Sequence, residues 1–382
     1  MADTVSGSRL DRARALLRDR HLDAVVVTNG ANRRYLTGFT AEDHAPDEPA
    51  AVGVISETGA WLFASPTNLP WAAAEANAGV TCLPWLRPWT DSVAALAQDG
   101  GWTRIGVEER VLPTGDWFAL QHSTGETTEL VFLGTALDTL RAQKEPGELA
   151  LLKDALRRSD DAMAGAIARI RPGMTEAQAA EIVREELRRV GSDGESFDTI
   201  VASGPNAAKP HHAPGDRVIG EGEPVIIDMG AVVDGYHGDL TRTIWFGQAD
   251  ERLVTIYATV AAAMQSSLGF FAPGISGRDV DQRVRDLFAE QGFGEYFVHG
   301  LGHGIGLRIH EAPSAGPAST DVLAVGHVVT TEPGIYIPGW GGVRIENVVV
   351  ITESGAENLT ASPVYHGDTG EQRHVGTKET AE

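Results

Sequence analysis

Apolar residues recur along this chain with the periods of helices and strands, and their order predicts the fold class. Ala13, Leu16 and Leu17 share one face of a helix predicted over residues 10–20, and an apolar run at 23–27 predicts a buried strand after it. Further strands are predicted at 51–56, 61–65 and 104–108, and helices at 71–77, 93–98 and 114–121. The first third of the chain is therefore predicted to be a mixed α/β unit, and it contains no ligand-like cluster.

The pattern changes near residue 142. A Lys-Glu-Pro-Gly segment at 144–147 precedes a long helix predicted over 148–170. Thr175 and Gln178 have the spacing of a capping box, which predicts a second helix running to residue 190. Two more helices are predicted at 250–268 and 276–292.

These elements predict an α/β (α+β) protein with two domains. The predicted boundaries give an N-terminal domain over residues 1–141, a second domain over 142–364 and a polar C-terminal tail over 365–382. At 382 residues the chain is long enough for each domain to bury its own core.

Charge and composition narrow the classes of function. The formal net charge of −22 disfavours nucleic acid and anionic membrane surfaces as partners. Cys82 is the single cysteine, which excludes an internal disulfide and a thiolate metal site. The sequence has no apparent signal peptide or membrane span, so we expect a cytoplasmic location.

Two acids lie on predicted strands in the second domain. Residues 224–230 form an apolar strand that ends with Asp228, and residues 236–243 form a second strand that carries Asp239. Strand alternation places Thr241 on the same face as Asp239, so its hydroxyl can support the same site. An acid at a strand end is, taken alone, more often a turn or cap residue.

The segment at 299–311 places three histidines among glycines. Glycine allows the backbone to approach an ion or a substrate closely, and imidazole is a common ligand of transition metals. A lone histidine is usually a packing or surface residue, but three in such a loop favour a functional site. We take His303 as the candidate ligand.

Two glutamates complete the candidate set. Glu332 ends one apolar run, and Glu346 lies inside another at 341–351. A glutamate in so apolar a strand is costly to bury unless it meets a cation or strong donors. Arg344, on the same face by strand parity, is the alternative partner and would form a structural ion pair. With the other acids available, a metal is the better explanation.

His211 and His212 lie in a loop bounded by Pro210 and Pro214. One of them could reach a substrate. Two solvated loop histidines explain the pattern nearly as well, and the residues alone do not distinguish His211 from His212.

The candidate ligands are four carboxylates and one imidazole: Asp228, Asp239, His303, Glu332 and Glu346. Oxygen ligands in this number suit a pair of divalent cations, and the imidazole favours manganese or cobalt over calcium. The residues themselves therefore predict a two-metal hydrolase.

In its order along the chain this set resembles the metal ligands of the creatinase, aminopeptidase P, prolidase and methionine aminopeptidase family, the pita-bread metallopeptidases. The resemblance covers about residues 145–362 and includes Gly302-His303-Gly304-Ile305-Gly306, His310-Glu311, Thr331-Glu332-Pro333-Gly334 and Val343-Arg344-Ile345-Glu346. Residues 32–39, which end in Tyr-Leu-Thr-Gly-Phe, resemble the N-terminal domain of the proline-specific branch.

The resemblance implies a creatinase-like N-terminal α/β domain, a pseudo-symmetric pita-bread catalytic domain and a homodimer. It also implies two divalent ions, which we expect to be Mn²⁺, with Co²⁺ and Zn²⁺ as alternatives. Asp239 and Glu346 would bridge the two ions. Asp228 would chelate one ion, and His303 with Glu332 would complete the other.

Catalytic roles also follow from the resemblance. It places His211 and His310 near the substrate, where His310 would stabilise the oxyanion. We expect Glu332 to accept a proton, with Thr241 and Arg344 as supporting residues.

Three positions depart from the family pattern. Arg308 stands where relatives often carry an acid, and Asn347 stands where an aspartate is usual. Ala318 occupies the position of an arginine that holds the substrate carboxylate in dedicated dipeptidases of the family. The preferred peptide length is therefore open, since Arg344 or a partner subunit could replace that arginine.

The predicted function is hydrolysis of Xaa-Pro bonds, which releases the N-terminal residue from short proline-containing peptides. One alternative is the same scaffold acting on methionine-initiated peptides or another amide, and the additional N-terminal domain disfavours it. The other is a non-catalytic binding module that kept the fold, which the complete ligand set disfavours.

Overall fold

The computed structural model describes residues 9–45 and 47–364, so the tail predicted at 365–382 lies outside the described residues. The chain divides into two compact units between Arg141 and Ala142. Across the described ranges, no helix is both long enough and apolar enough to cross a membrane.

A mixed sheet forms the centre of the first unit. In chain order its elements are α1 (Arg9–Arg20), β1 (Ala24–Val27), α2 (Gly30–Thr37), β2 (Ala51–Ser56), β3 (Ala60–Ala64), α3 (Leu69–Glu75), β4 (Thr81–Pro84), α4 (Trp89–Gly100), β5 (Arg104–Val107), α5 (Thr114–Thr124), β6 (Glu129–Phe132) and α6 (Ala136–Ala142). The strand order is β4-β3-β2-β1-β5-β6. Strand β1 is antiparallel to β2 and parallel to β5, and all four of its residues are buried.

Glu108, which directly follows β5, connects the sheet to α2. Its buried carboxylate accepts hydrogen bonds from the Thr28 N–H at 2.6 Å, the Asn29 N–H at 2.8 Å and Asn32 Nδ2 at 2.6 Å. Burial raises the pKa of Glu108, while the Asn29, Asn32 and Thr28 donors oppose that shift. One side chain therefore satisfies three donors at the start of α2, a helix that the apolar pattern did not predict.

The second unit consists of paired helices and antiparallel strands. Its helices are α7 (Pro146–Arg169), α8 (Glu176–Arg189), α9 (Glu251–Ser267) and α10 (Gly277–Glu290), with short 3₁₀ turns at Gly204–Ala208 and Gly294–Tyr296. Its strands are β7 (Ile200–Ser203), β8 (Val225–Met229), β9 (Val232–Val233), β10 (Tyr236–His237), β11 (Leu240–Ile244), β12 (Gly302–Gly304), β13 (Glu311–Ala315), β14 (Val328–Thr331), β15 (Gly334–Ile337), β16 (Gly341–Arg344), β17 (Asn347–Thr352) and β18 (Gly355–Asn358).

Two antiparallel sheets organise this unit. One has the order β11-β8-β7 and the other the order β13-β12-β14-β17-β18. Helices α7 and α8 share an apolar core with the first sheet, and α9 and α10 share one with β17. The order of a helix pair followed by antiparallel strands therefore occurs twice, and the predicted α/β (α+β) class is confirmed.

The predicted helices of the second unit are confirmed with small shifts at their ends. The capping box is present, because Thr175 Oγ1 accepts from the Gln178 N–H at 3.1 Å and Gln178 Oε1 accepts from the Thr175 N–H at 2.9 Å. The backbone N–H groups of Thr175 and Gln178, at the start of α8, thereby each have an acceptor.

The single strand predicted at 236–243 was wrong. Strands β10 and β11 are separated at Gly238 and Asp239. Gly238 lies so close to α7 that a Cβ there would be 2.6 Å from Ser159 Oγ. Because of this close approach, Asp239 lies at a break in the strand and not on a continuous ladder.

The continuous strand predicted at 341–351 was also wrong. Strand β16 ends at Arg344 and β17 begins at Asn347, so Ile345 and Glu346 lie between them. The Glu346 N–H donates to Thr241 O at 3.1 Å. The chain changes strand partners here, and the parity argument that placed Arg344 and Glu346 together therefore fails.

Replacing Glu108 with alanine should destabilise the first unit, because one buried and two partly buried donors lose their acceptor. We expect a loss of about 3 kcal/mol in the free energy of unfolding. Urea titration followed by tryptophan fluorescence measures it, since six of the eight tryptophans lie in this unit. Glu126→Ala, at an exposed position, is the control, and equal stability of the two variants would contradict the role of Glu108.

Candidate metal centre

The five candidate ligands line one cavity of about 840 Å³ in the second unit. The same cavity is lined by the two histidines expected near the substrate and by Arg344. Asp228 lies on β8 and Asp239 immediately precedes β11, while His303 lies on β12. Glu332 follows β14 and Glu346 lies between β16 and β17, so both halves of the unit contribute side chains.

Three of these side chains form the centre of the cluster. Asp239, His303 and Glu346 each bring one possible ligand atom within 4.8 Å of the others. His303 Nε2 lies 3.6 Å from Asp239 Oδ2 and 3.4 Å from Glu332 Oε1. Asp228 lies across from Thr241 in the β8–β11 ladder, and Thr241 Oγ1 donates to Glu346 Oε2 at 2.7 Å.

Several nitrogen and oxygen atoms at this centre have lone pairs that accept no hydrogen bond from the described residues. His303 Nδ1 lies 3.1 Å from Gly304 O, and because a carbonyl oxygen only accepts, Nδ1 carries the proton. The lone pair of His303 Nε2 therefore faces carboxylate oxygens. Asp228 Oδ1 and Glu346 Oε1 are also buried without a hydrogen-bond partner within residues 9–45 and 47–364. A cation satisfies such a set, and these oxygen and imidazole donors fit a divalent transition metal.

The electrostatics of the cluster agree with this fit. Burial raises the pKa of Asp239 well above its usual range, and the Glu346 and Asp228 carboxylates raise it further. Burial also raises the pKa of Glu346 well above its usual range and that of Glu332 to about 8. Burial lowers the pKa of His303 to about 3, with His310 adding to the shift. A bound cation reverses the carboxylate shifts because it stabilises their ionised forms.

Arg344 is bonded to Asp228 and not to Glu346. Arg344 Nη2 donates to Asp228 Oδ2 at 2.6 Å, and Nε donates to Thr241 Oγ1 at 3.1 Å. Nη1 donates to Tyr336 Oη at 2.8 Å and to Pro210 O at 3.3 Å. The Arg344 side chain is buried, and four of its five guanidinium N–H groups donate hydrogen bonds. Most of the donor capacity of Arg344 is therefore used within the protein, and one N–H remains.

Sequence reasoning missed two polar residues that support the cluster. Tyr336 Oη accepts from Arg344 and lies 2.8 Å from Nε2 of His299. Thr330 Oγ1 donates to Glu332 Oε1 at 3.2 Å. Thr330 could have been found from the sequence, because residues two positions apart on a strand lie on the same face, and Thr330 is two positions from Glu332. Nothing in the local sequence indicates a role for Tyr336.

His211 and His212 have different surroundings in the structure. His212 Nε2 lies 2.8 Å from Oε2 of Glu176, which is fully buried. Glu176 also accepts from the Ser203 N–H at 2.8 Å, and although burial opposes the effect, the Ser203 and His212 donors lower the pKa of Glu176. His212 is therefore held by α8. His211 lines the cavity and makes no hydrogen bond in the described part of the chain.

None of the three residues that depart from the family pattern is among the described residues that line the cavity. Arg308 and Ala318 are exposed, and neither is among the described residues that line it. Asn347 Oδ1 accepts from Arg242 Nη2 at 3.0 Å. Asn347 therefore helps hold a buried arginine next to the centre.

A carboxylate and imidazole centre in a cavity between antiparallel sheets is typical of metal-dependent hydrolases. Comparison with known proteins agrees with that class. The model for metallopeptidase family M24 matches residues 150–353, and the model for the creatinase/prolidase N-terminal domain matches residues 9–143.

Individual relatives match over nearly the whole chain. An Xaa-Pro dipeptidase from Pyrococcus horikoshii is 33% identical over 341 residues, which cover 89% of this chain and 93% of the relative. The structure of an Xaa-Pro dipeptidase from Bacillus anthracis is similar with a TM-score of 0.87 at 35% identity, covering 94% of this chain and 98% of that one. An X-Pro aminopeptidase from Thermotoga maritima gives a TM-score of 0.82 at 30% identity, covering 94% and 99%.

This chain belongs to the M24 metallopeptidase family, in its prolidase branch, and is a peptidase. The predicted family and the predicted pair of folds, creatinase-like and pita-bread, are confirmed. Family membership also implies divalent metal ions.

Removing each loop histidine should have a different effect on stability. His212→Ala removes a partner of the buried Glu176 carboxylate, and we expect a loss of about 1–2 kcal/mol in the free energy of unfolding. His211→Ala removes no hydrogen bond and should stay within about 0.5 kcal/mol of the parent protein. Urea denaturation measures both variants, and a larger loss for His211→Ala would contradict the different roles of the two histidines.

Proposed function

We propose that this protein is a dinuclear metal-dependent peptidase that hydrolyses Xaa-Pro bonds and releases the N-terminal residue of short proline-containing peptides. The observation that carries the proposal is the convergence of unpaired lone pairs from Asp228, His303 and Glu346 in one buried cavity. The names of the relatives, Xaa-Pro dipeptidase and X-Pro aminopeptidase, support the choice of bond.

Two divalent ions, expected to be Mn²⁺, would be held by Asp228, Asp239, His303, Glu332 and Glu346, with Asp239 and Glu346 as shared ligands. When bound, such ions polarise a carbonyl and lower the pKa of a water molecule. Thr241 and Arg344 support this set, because each donates to one of its carboxylates and so fixes the direction of the remaining oxygen.

Three side chains around the ligand set have proposed roles in proton transfer, in hydrogen bonding to the substrate and in its orientation. Glu332 is the proposed proton acceptor from the attacking water, and the Thr330 hydroxyl holds one of its oxygens. His310, whose ring stacks edge-on against His303 with centroids 4.3 Å apart, donates to the substrate carbonyl oxygen. Burial lowers the pKa of His310, so that it acts as a neutral imidazole. His211, free in the cavity, orients the substrate.

Selectivity for proline follows from its tertiary amide. Proline has no N–H at the scissile bond, so the site needs an apolar surface for the ring and no acceptor for that nitrogen. The cavity wall is partly apolar, with Phe197, Ile200 and Pro214 among its residues. A homodimer and a cytoplasmic location remain predictions.

Hydrolysis should depend on metal and on proline. With Mn²⁺ present, we expect cleavage of Ala-Pro, Ala-Pro-Ala or both, and turnover should fall at least about 100-fold after chelation and return when Mn²⁺ is restored. Amino-acid release measures it. Met-Ala-Ser is the control peptide, and its preferential cleavage would favour the methionine-peptide alternative. Activity that survives chelation would refute the metal-dependent mechanism, and no cleavage of any peptide would favour a binding module.

Metal binding can be tested without turnover. A ligand that binds only the folded state stabilises it by about 3 kcal/mol at a hundredfold excess over its Kd, so Mn²⁺ should raise the Tm of the chelated protein. Asp239→Asn should lose most of that rise because it removes a shared ligand. Asp286→Asn, an exposed residue on α10 outside the cavity, is the matched control. Equal Mn²⁺-dependent Tm shifts in both variants would contradict the ligand set.

A further inference from the structure

Asp198 is an exposed carboxylate in the wall of the proposed catalytic cavity. Within residues 9–45 and 47–364 it accepts no hydrogen bond and forms no ion pair. Its neighbour Thr199 is engaged elsewhere, because Thr199 Oγ1 donates to Glu195 Oε2 at 2.8 Å. The charge of Asp198 is therefore available to a bound molecule.

The position of Asp198 relative to the centre follows from strand register. Ile200 is the first residue of β7 and pairs directly with Asp228 on β8. Directly paired Cα atoms in an antiparallel ladder are about 5 Å apart, and two residues of chain span at most about 7 Å. Asp198 therefore lies within about 12 Å of Asp228, measured between Cα atoms.

The wall between these two acids has an apolar surface and an acidic rim. Phe197 and Ile200 line the cavity on either side of Asp198 in sequence. Arg184 also lines it, but Arg184 Nε lies 3.2 Å from both carboxylate oxygens of Glu195, and Nη1 lies 3.5 Å from Glu181 Oε2. Arg184 is thus already paired with two carboxylates, and Asp198 adds a third negative charge to this side of the cavity.

We propose that Asp198 determines specificity by binding the basic side chain of the first residue of the substrate, a lysine or an arginine. This inference rests on the proposed function. The methylene stem of such a side chain packs on the apolar wall while its charged end meets the carboxylate. The net charge of −22 assists by attracting cationic peptides to the protein.

The choice of the side chain over the α-amino group rests on reach. The α-amino nitrogen is two bonds from the scissile carbonyl carbon, so a substrate bound at the metal ligands keeps it close to them. A lysine or arginine side chain extends several bonds further from the same Cα. Asp198 lies in the same cavity wall, no more than about 12 Å from Asp228 between Cα atoms, and is therefore placed where the end of such a side chain can meet it.

The test compares Lys-Pro-Ala with norleucine-Pro-Ala, which keeps the methylene stem and lacks the ammonium group. With Mn²⁺, we expect a kcat/KM for the lysine peptide about fivefold higher, the size of a solvent-exposed ion pair. Asp198→Asn should bring the ratio close to one, and Asp198→Lys should shift preference to Glu-Pro-Ala. The matched control Asp286→Asn should retain the parent ratio.

Binding to the chelated protein separates this inference from the proposed function. Calorimetry should show the same preference for Lys-Pro-Ala without turnover, and its loss in Asp198→Asn. If no peptide is hydrolysed but the binding preference persists, the proposed function fails and the role of Asp198 stands. A parent ratio near one, or a ratio unchanged in Asp198→Asn, overturns the inference. An equal loss for both peptides also overturns it, because Asp198 would then bind the shared α-amino group.

Discussion

The mutual repulsion of buried carboxylates is the constraint on which the second unit depends. Asp228, Asp239 and Glu346 are each at most 8% exposed, and burial together with neighbouring acids raises the pKa of Asp239 and Glu346. One buried guanidinium, that of Arg344, compensates only part of this charge. The antiparallel sheets hold the acids together against their repulsion, and a divalent cation bound among them would relieve that electrostatic cost.

Breaks in two strands allow the carboxylates to come close together despite their repulsion. A residue inside a regular ladder has its side-chain direction fixed by the pleat. Asp239 and Glu346 instead lie at interruptions, after β10 and after β16, where the chain changes partners. Side chains from separate strands can then point to one place. Gly238, packed against α7, is what makes the first interruption sterically possible.

Much of the fold was predictable from the sequence because short sequence patterns indicate many of its helices and strands. The capping box at Thr175, the apolar run before Asp228 and the long helix before residue 170 are local patterns, and the structure contains all three elements. Glu346 was found because an acid in an apolar run is costly to bury, and His303 because three histidines lie among glycines. The partner of Arg344 and the roles of Tyr336 and Glu176 were not predictable, since each depends on contacts between residues far apart in the chain. Likewise, the residues alone do not distinguish His212 from His211, and the physical difference between them is the tertiary contact of His212 with Glu176.

Two groups of poorly exposed carboxylates in this protein differ in the hydrogen-bond donors that surround them. Glu108, Asp160, Glu176 and Asp281 accept hydrogen bonds from backbone N–H groups and so organise loops and helix ends. The carboxylates of the candidate centre, Asp228, Asp239, Glu332 and Glu346, accept none from the backbone of the described residues. A carboxylate saturated by backbone donors has little left to offer a cation, whereas one held by a single side chain keeps a free oxygen. The pattern of donors, and not burial or charge alone, therefore distinguishes Glu108, Asp160, Glu176 and Asp281 from the candidate ligands.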